Sequence, residues 1–208
     1  MLESRRLIPG TGERATDDAP AWSASVERIG RMLSGMRATR HDLDLDADAA
    51  MAVWLDLTLA VRRAGRVIYL IGNGASASMA SHISADLAKN GRLHTQVFTD
   101  LSLITAMAND NGYENVYAVP LGDRMRPGDM LVAISSSGNS PNIVAGVRRA
   151  AALGCETVTL SAMGEDNLIR RLGSLALWVP AETYGMAETC HAAVLHHWVD
   201  RVVESPDR

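Results

Sequence analysis

Several residue types are nearly missing from this 208-residue chain: it has one phenylalanine, 4% aromatic residues in all, and two cysteines. Among its 20 basic residues only Lys89 is a lysine, which excludes Schiff-base chemistry on any other element. Cys155 and Cys190 lack the paired spacing of a zinc site or a disulfide framework, as expected of a cytoplasmic protein. No apolar run approaches the roughly 20 residues needed to span a bilayer. The opening MLESRRLIPGTGERATDDAP has basic residues but no apolar segment, so it does not read as a signal peptide. With a net charge of −4 and a pI near 5.8, the chain offers no general attraction for nucleic acid. Neither a membrane nor a nucleic acid is therefore an expected partner. What remains is an ordinary globular composition, 47% hydrophobic and 21% charged, of a length that usually folds as one domain.

Residues 1–21 carry Gly, Pro, Asp and Thr without periodicity and are expected to form a flexible tail. Residues 22–208 are expected to form a single domain. Over 22–40, Val26, Ile29, Met32, Leu33 and Met36 recur at helical spacing, predicting an amphipathic helix. A second helix, capped by Asp46 or Asp48, carries Met51, Trp54, Leu55 and Val61 and stops at Gly65. Beyond it short apolar runs at 67–72, 95–99, 130–135, 157–161 and 175–180 alternate with helical patterns at 76–89, 102–109, 114–124, 141–153 and 165–172. A long helix from 186 to 203 closes the chain. This order predicts an α/β fold: a parallel sheet flanked by helices, with right-handed crossovers and an N-terminal helical extension.

In such sheets ligands bind beyond the carboxyl ends of the strands. Two strand ends carry suitable loops, Gly72-Asn73-Gly74-Ala75-Ser76-Ala77-Ser78 and Ser135-Ser136-Ser137-Gly138-Asn139-Ser140-Pro141-Asn142. Four hydroxyls within six residues, a glycine and a helix starting at Pro141 make an uncharged cradle for phosphate. A plain serine-rich capping turn would look the same. The P-loop pattern is absent, and the Gly72-Asn73-Gly74 turn lacks the third glycine of a dinucleotide fingerprint. His82 and Asp86, four apart, share one helical face and could bind a metal or form an acid–base pair, or simply make a surface hydrogen bond. The last helix adds Glu188, His191, His196 and His197. Glu188 and His196, eight apart, can line one broad face, although solvated or core histidines are the simpler reading.

Taken together, IGNGASAS with the following His82 and Asp86, LITAMANDNGYENVYA and GDMLVAISSSGNSPNIVAGVRRAAALG resemble the sugar isomerase (SIS) domain, and within it the phosphoheptose isomerases. The resemblance covers roughly 150 residues, from Met51 to Val203. It implies that Ser135, Ser136, Ser137 and Ser140 bind the substrate's phosphate, and that Asn73, Ser76 and Asp110 contact substrate. It also implies a metal site, usually zinc and one per subunit, formed by His82, Asp86, Glu188 and His196, with no organic cofactor. Two ligands depart from the family pattern: Asp86 replaces a glutamate, retracting the carboxylate by about 1.5 Å, one C–C bond, and Glu188 replaces a glutamine, adding a negative charge. Met186-Ala187-Glu188-Thr189 also lacks the substrate-facing Asp and Arg of the family's run.

The reaction implied is conversion of sedoheptulose 7-phosphate to a heptose 7-phosphate through an enediol, with Asp86 and His196 as acid–base candidates. The family also implies a homotetramer with active sites between subunits, in which the stripe Val26-Ile29-Leu33-Met36 would be buried. Three alternatives accompany this reading. One is an isomerase of another phosphosugar. Another is a non-catalytic SIS protein that binds a replication initiator, a branch that tends to lose the ligand set kept here. The third, a phosphosugar-sensing regulator, would carry a DNA-binding segment of which the sequence shows no sign.

Overall fold

A computed structural model of the protein describes residues 21–205; all of the tail expected over 1–21 except Ala21 lies outside them. The apolar runs become strands β3 (Val67–Gly72), β4 (His94–Val97), β5 (Met130–Ser135), β6 (Glu156–Ser161) and β7 (Leu175–Trp178). All pair in parallel, in the spatial order β7-β6-β5-β3-β4. Every residue of β5 is buried, as a central strand covered on both faces requires. Along β3 the side chains alternate: Ile68 and Leu70 enter one core layer, Tyr69 and Ile71 the other.

The first layer lies under α2 (Ala47–Arg63), α3 (Ala75–Lys89) and α8 (Tyr184–Glu204); the second lies under α5 (Ala118–Arg124), α6 (Pro141–Ala152) and α7 (Leu168–Leu172). Helix α4 (Leu101–Asn111) follows β4 and buries none of its residues within the chain. Asp46 caps α2, its carboxylate accepting from the Ala49 N–H at 2.7 Å. In the first layer Trp54 and Trp198 stack with ring centroids 4.2 Å apart. Thr58 Oγ1 accepts from Trp198 Nε1 at 2.9 Å and donates to the Trp54 carbonyl at 2.7 Å. This buried bracket fixes α8 against α2 and thereby sets where the residues of α8 reach the sheet.

One expectation is corrected. The helix predicted over 22–40 ends early, as α1 (Trp22–Ser34), and the chain continues as an antiparallel hairpin of β1 (Arg37–Arg40) and β2 (Leu43–Leu45). His41 and Asp42, with φ of 47° and 66°, form the two-residue turn whose twist suits a hairpin. β1 then pairs antiparallel with β7 and covers what would have been an open edge of the sheet. Ladder hydrogen bonds to β7 and burial of Ala38 outweigh the helical period, which continued only one residue past Gly35.

Candidate active site

The chain runs from β3 outward to β4, then returns to place β5 on the other side of β3. The strand order therefore reverses between β3 and β5, and the loops leaving these two strands part there to open a crevice. A cavity occupies this point. Ser135, Ser136, Ser137 and Ser140 form one wall, Asn73 and Ser76 the other, and Tyr184 and Glu188 from the start of α8 face them. No Lys or Arg among the described residues lines it. Opposite the Glu188 carboxylate, the N-termini of α3 and α6, neither of them capped by a side chain, turn the positive ends of their helix dipoles toward it. An anion with several acceptor oxygens suits this lining.

The loops owe their shape to local sequence. Gly138, at φ +65°, turns the serine loop, and its N–H donates to the Ser135 carbonyl at 2.9 Å. A Cβ at this position would collide with the Asn167 side chain. Asn167 is itself buried: its Nδ2 donates to Ser161 Oγ at 3.0 Å and its Oδ1 caps α7 by accepting from the Arg170 N–H. The Leu168 and Ile169 N–H groups donate to Asn139 Oδ1 and the Gly138 carbonyl, both at 3.0 Å, so the first turn of α7 braces the serine loop from behind. Gly72 ends β3 so close to α3 that a Cβ there would lie 2.5 Å from the Ser76 carbonyl carbon. The Tyr117 hydroxyl donates to the Gly72 carbonyl at 2.5 Å, and burial pushes its pKa up to about 12, keeping it a donor.

Beyond the cavity, α3 and α8 pack side by side and bring His82, Asp86 and His196 together. One potential ligand atom from each lies within 4.8 Å of the others. His82 Nε2 stands 3.4 Å from Asp86 Oδ2, and the rings of His82 and His196 meet edge-on with centroids 5.4 Å apart. Ligand bonds to zinc run about 2.0–2.2 Å, so small side-chain adjustments bring all three donors onto one ion. Two imidazoles and a carboxylate are also a donor set that zinc accepts, and the residues therefore fit such a group. Glu188 stands outside this trio and lines the serine cavity instead, about 12 Å along the axis of α8 from His196.

The remaining candidates separate. Asp110 is exposed in the last turn of α4, where Asn109 Nδ2 donates to its carboxylate at 2.8 Å, and it does not line the cavity. His191 is a core residue, 0% exposed, with neither ring nitrogen hydrogen bonded. Burial pushes its pKa down to about 4, so it is neutral. His197 lies against an apolar groove with Leu33, Met36 and Met51. Sequence reasoning missed Tyr184, which no pattern marks, and the supporting Tyr117 and Asn167. Asn142 stood inside the serine-loop motif without an assigned role.

Comparison with known proteins agrees with this geometry. The model of the SIS domain family matches residues 33–162. Phosphoheptose isomerase from Solidesulfovibrio magneticus is 35% identical over 146 residues, 67% of this chain and 70% of that protein. Phosphoheptose isomerase from a Roseiflexus species is 32% identical over 185 residues, 86% of this chain and 93% of its own. Among solved structures, phosphoheptose isomerase GmhA from Neisseria gonorrhoeae superposes with a TM-score of 0.75 at 25% identity. That match covers 86% of this chain and 96% of the other.

Proposed function

The chain belongs to the SIS domain family and, within it, to the phosphoheptose isomerases, and from that membership we propose that it converts sedoheptulose 7-phosphate to a heptose 7-phosphate through an enediol. The observation that carries this reading is the serine-lined cavity at the reversal of strand order, with the N-termini of α3 and α6 on it and an acid–base trio farther along α3 and α8. Ser76 at the cavity and His82 in the trio are six residues apart on α3, about 9 Å along its axis, a span comparable to an extended seven-carbon chain. A phosphate in the cavity then leaves the carbonyl end of the sugar beside Asp86 and His196.

Ser135, Ser136, Ser137 and Ser140 bind the phosphate with hydroxyl and backbone donors, and the energy of that remote contact orients the reacting carbons. Asn73 and Ser76 hold the adjoining sugar hydroxyls. The Asp86 carboxylate takes the proton from the carbon beside the carbonyl, and a ring nitrogen of His196 exchanges the hydroxyl proton as the double bond shifts. Return of the proton to the neighbouring carbon completes the isomerisation. His82, Asp86 and His196 would hold a divalent cation such as zinc, one per subunit, and the cation would supply Lewis-acid stabilisation of the charge that develops on oxygen, whereas Glu188 stands apart from them at the serine cavity. A carboxylate shared between a cation and a proton is less basic, so Asp86 serves one role at a time.

The proposal includes a cytoplasmic homotetramer with active sites between subunits, built from one SIS domain over 22–208 that includes the N-terminal helices. Trp22 and Val26 of α1 are exposed, which supports burial of this end of the helix in an assembly; Ile29, Leu33 and Met36 already pack within the chain. No helix among the described residues is long and apolar enough to cross a membrane.

Turnover of sedoheptulose 7-phosphate by the purified protein, before and after chelation and after zinc is restored, tests the reading. Activity lost to chelator and regained with zinc supports isomerase and metal roles together. Activity that ignores the chelator keeps the isomerase and leaves the chemistry to Asp86 and His196. A folded protein that binds the sugar phosphate without turnover refutes the substrate assignment.

A further inference from the structure

Asn73 and Asn142 stand on the two loops that build the cavity, Asn73 directly after β3 and Asn142 in the first turn of α6. Asn73 Nδ2 donates to Asn142 Oδ1 at 2.9 Å, and Asn142 Nδ2 donates back to Asn73 Oδ1 at 2.8 Å. Asn142 is 1% exposed, whereas Asn73 is half-buried and lines the cavity. The two amides therefore close a ring of two hydrogen bonds across the crevice, joining loops that are 69 positions apart in the chain.

This ring has a polarity. Asn142 Oδ1 also accepts from the backbone N–H of Ile143 at 3.0 Å. Rotating the Asn142 amide by half a turn would set its NH2 against that N–H, so α6 itself decides which way Asn142 faces. Asn142 in turn decides for Asn73, because a flipped Asn73 would oppose nitrogen to nitrogen and oxygen to oxygen and lose both bonds. A carboxamide has two N–H donors and an oxygen with two acceptor positions. The ring uses one of each on Asn73 and leaves one N–H and one acceptor position free. Little water reaches the Asn142 side of the pair, which makes leaving its amide unpaired costly.

We propose that Asn142 is a positioning residue: anchored by the Ile143 N–H, it fixes which end of the Asn73 amide faces the bound sugar phosphate. It touches no substrate itself. The identity of the ligand rests on the phosphosugar reading above; the polarity of Asn73 rests on hydrogen bonds alone.

The test uses the full-length protein with N142D, N142A, N73A and the double variant N73A/N142A. Aspartate keeps the shape of the side chain and the acceptor for the Ile143 N–H, but cannot donate to Asn73 Oδ1. Both Asn142 variants should lower kcat/KM for sedoheptulose 7-phosphate about tenfold or more, mainly through kcat. Their affinity for inorganic phosphate, measured by calorimetry, should stay within about twofold, because the serines are untouched. Adding N142A to N73A should cost less than about twofold further, since the two act as one unit. Losses that multiply, or an N142D protein as active as the parent, would overturn the proposal. Should the parent itself fail to turn over this sugar, the substrate assignment falls, and the clasp is judged by side-chain NMR of 15N-labelled asparagine. A resolved, slowly exchanging Asn73 amide pair that collapses in N142A supports it; a pair unchanged in N142A refutes it.

Discussion

Replacing His191 by leucine should make the protein less sensitive to mild acid, and the size of the effect follows from burial. The ring lies on α8 with no exposed surface, and neither nitrogen has a hydrogen-bond partner. Protonation would place a cation in the core, at a site with no exposed surface beside the end of β6. The Ser161 backbone favours the protonated ring and offsets a small part of this cost, without closing a hydrogen bond. Burial accordingly lowers the pKa from 6.5 to about 4, while the unfolded chain titrates near 6.5. Above that value His191 is neutral in both states and its contribution to stability is complete. As pH falls toward about 4, the unfolded chain takes up a proton that the folded protein refuses, and stability is lost. At about 1.4 kcal/mol per unit, the full interval is worth about 3 kcal/mol. Urea unfolding of the parent and H191L between about pH 7 and pH 4 measures it. The stability of the parent relative to the variant should drop by about 3 kcal/mol over that interval. Near pH 7 the two should differ by about 1 kcal/mol or less, since leucine removes two unpaired polar atoms. Curves that run parallel throughout would mean that water or a partner reaches the imidazole, and the burial argument would fail.

Four further outcomes are expected. G138A should raise KM for the sugar phosphate and lower thermal stability, because a Cβ meets Asn167 and the left-handed backbone costs about 1 kcal/mol more for alanine than for glycine; steady-state kinetics and a melting curve check both. S136A, at a buried wall of the cavity, should weaken binding of the sugar phosphate about fivefold to tenfold by calorimetry, with little change in melting temperature. T58V should cost about 1–3 kcal/mol in urea unfolding by stranding Trp198 Nε1, and combining it with W198F should cost less than the sum of the two. D86N should reduce kcat by about a hundredfold or more while leaving phosphate affinity unchanged. Retention of kcat would remove Asp86 from the proton transfer.

The five parallel strands and most of the helices were legible because their signals are local. Runs such as VIYLIG and MLVAIS are apolar enough to specify buried strands, and Asp46, Pro141 and Gly65 mark helix ends within a few residues. The hairpin over 37–45 was not legible. Its strands are short, polar on one side, and stabilised chiefly by pairing with β7, more than a hundred residues away. The serine loop stood out for a related reason: a dense run of hydroxyls before a proline announces itself without reference to anything distant.

Residue types and spacing alone determined that this chain is an α/β protein with a serine-rich loop and a helix start after a central strand, and that His82 and Asp86 share one face of a helix. Only the tertiary structure decided that the β3 and β5 loops meet where the strand order reverses. It likewise separated His196, which joins His82 and Asp86, from Glu188 at the serine cavity and His191 in the core. The reason is physical. Helical spacing fixes the directions of side chains relative to one another, but the rotation and height of α8 against the sheet are set by packing, above all by the Trp54–Trp198 stack and its hydrogen bonds to Thr58. Those contacts, distant in the chain, determine which of the polar residues of α8 meet α3, which meet the serines, and which meet neither.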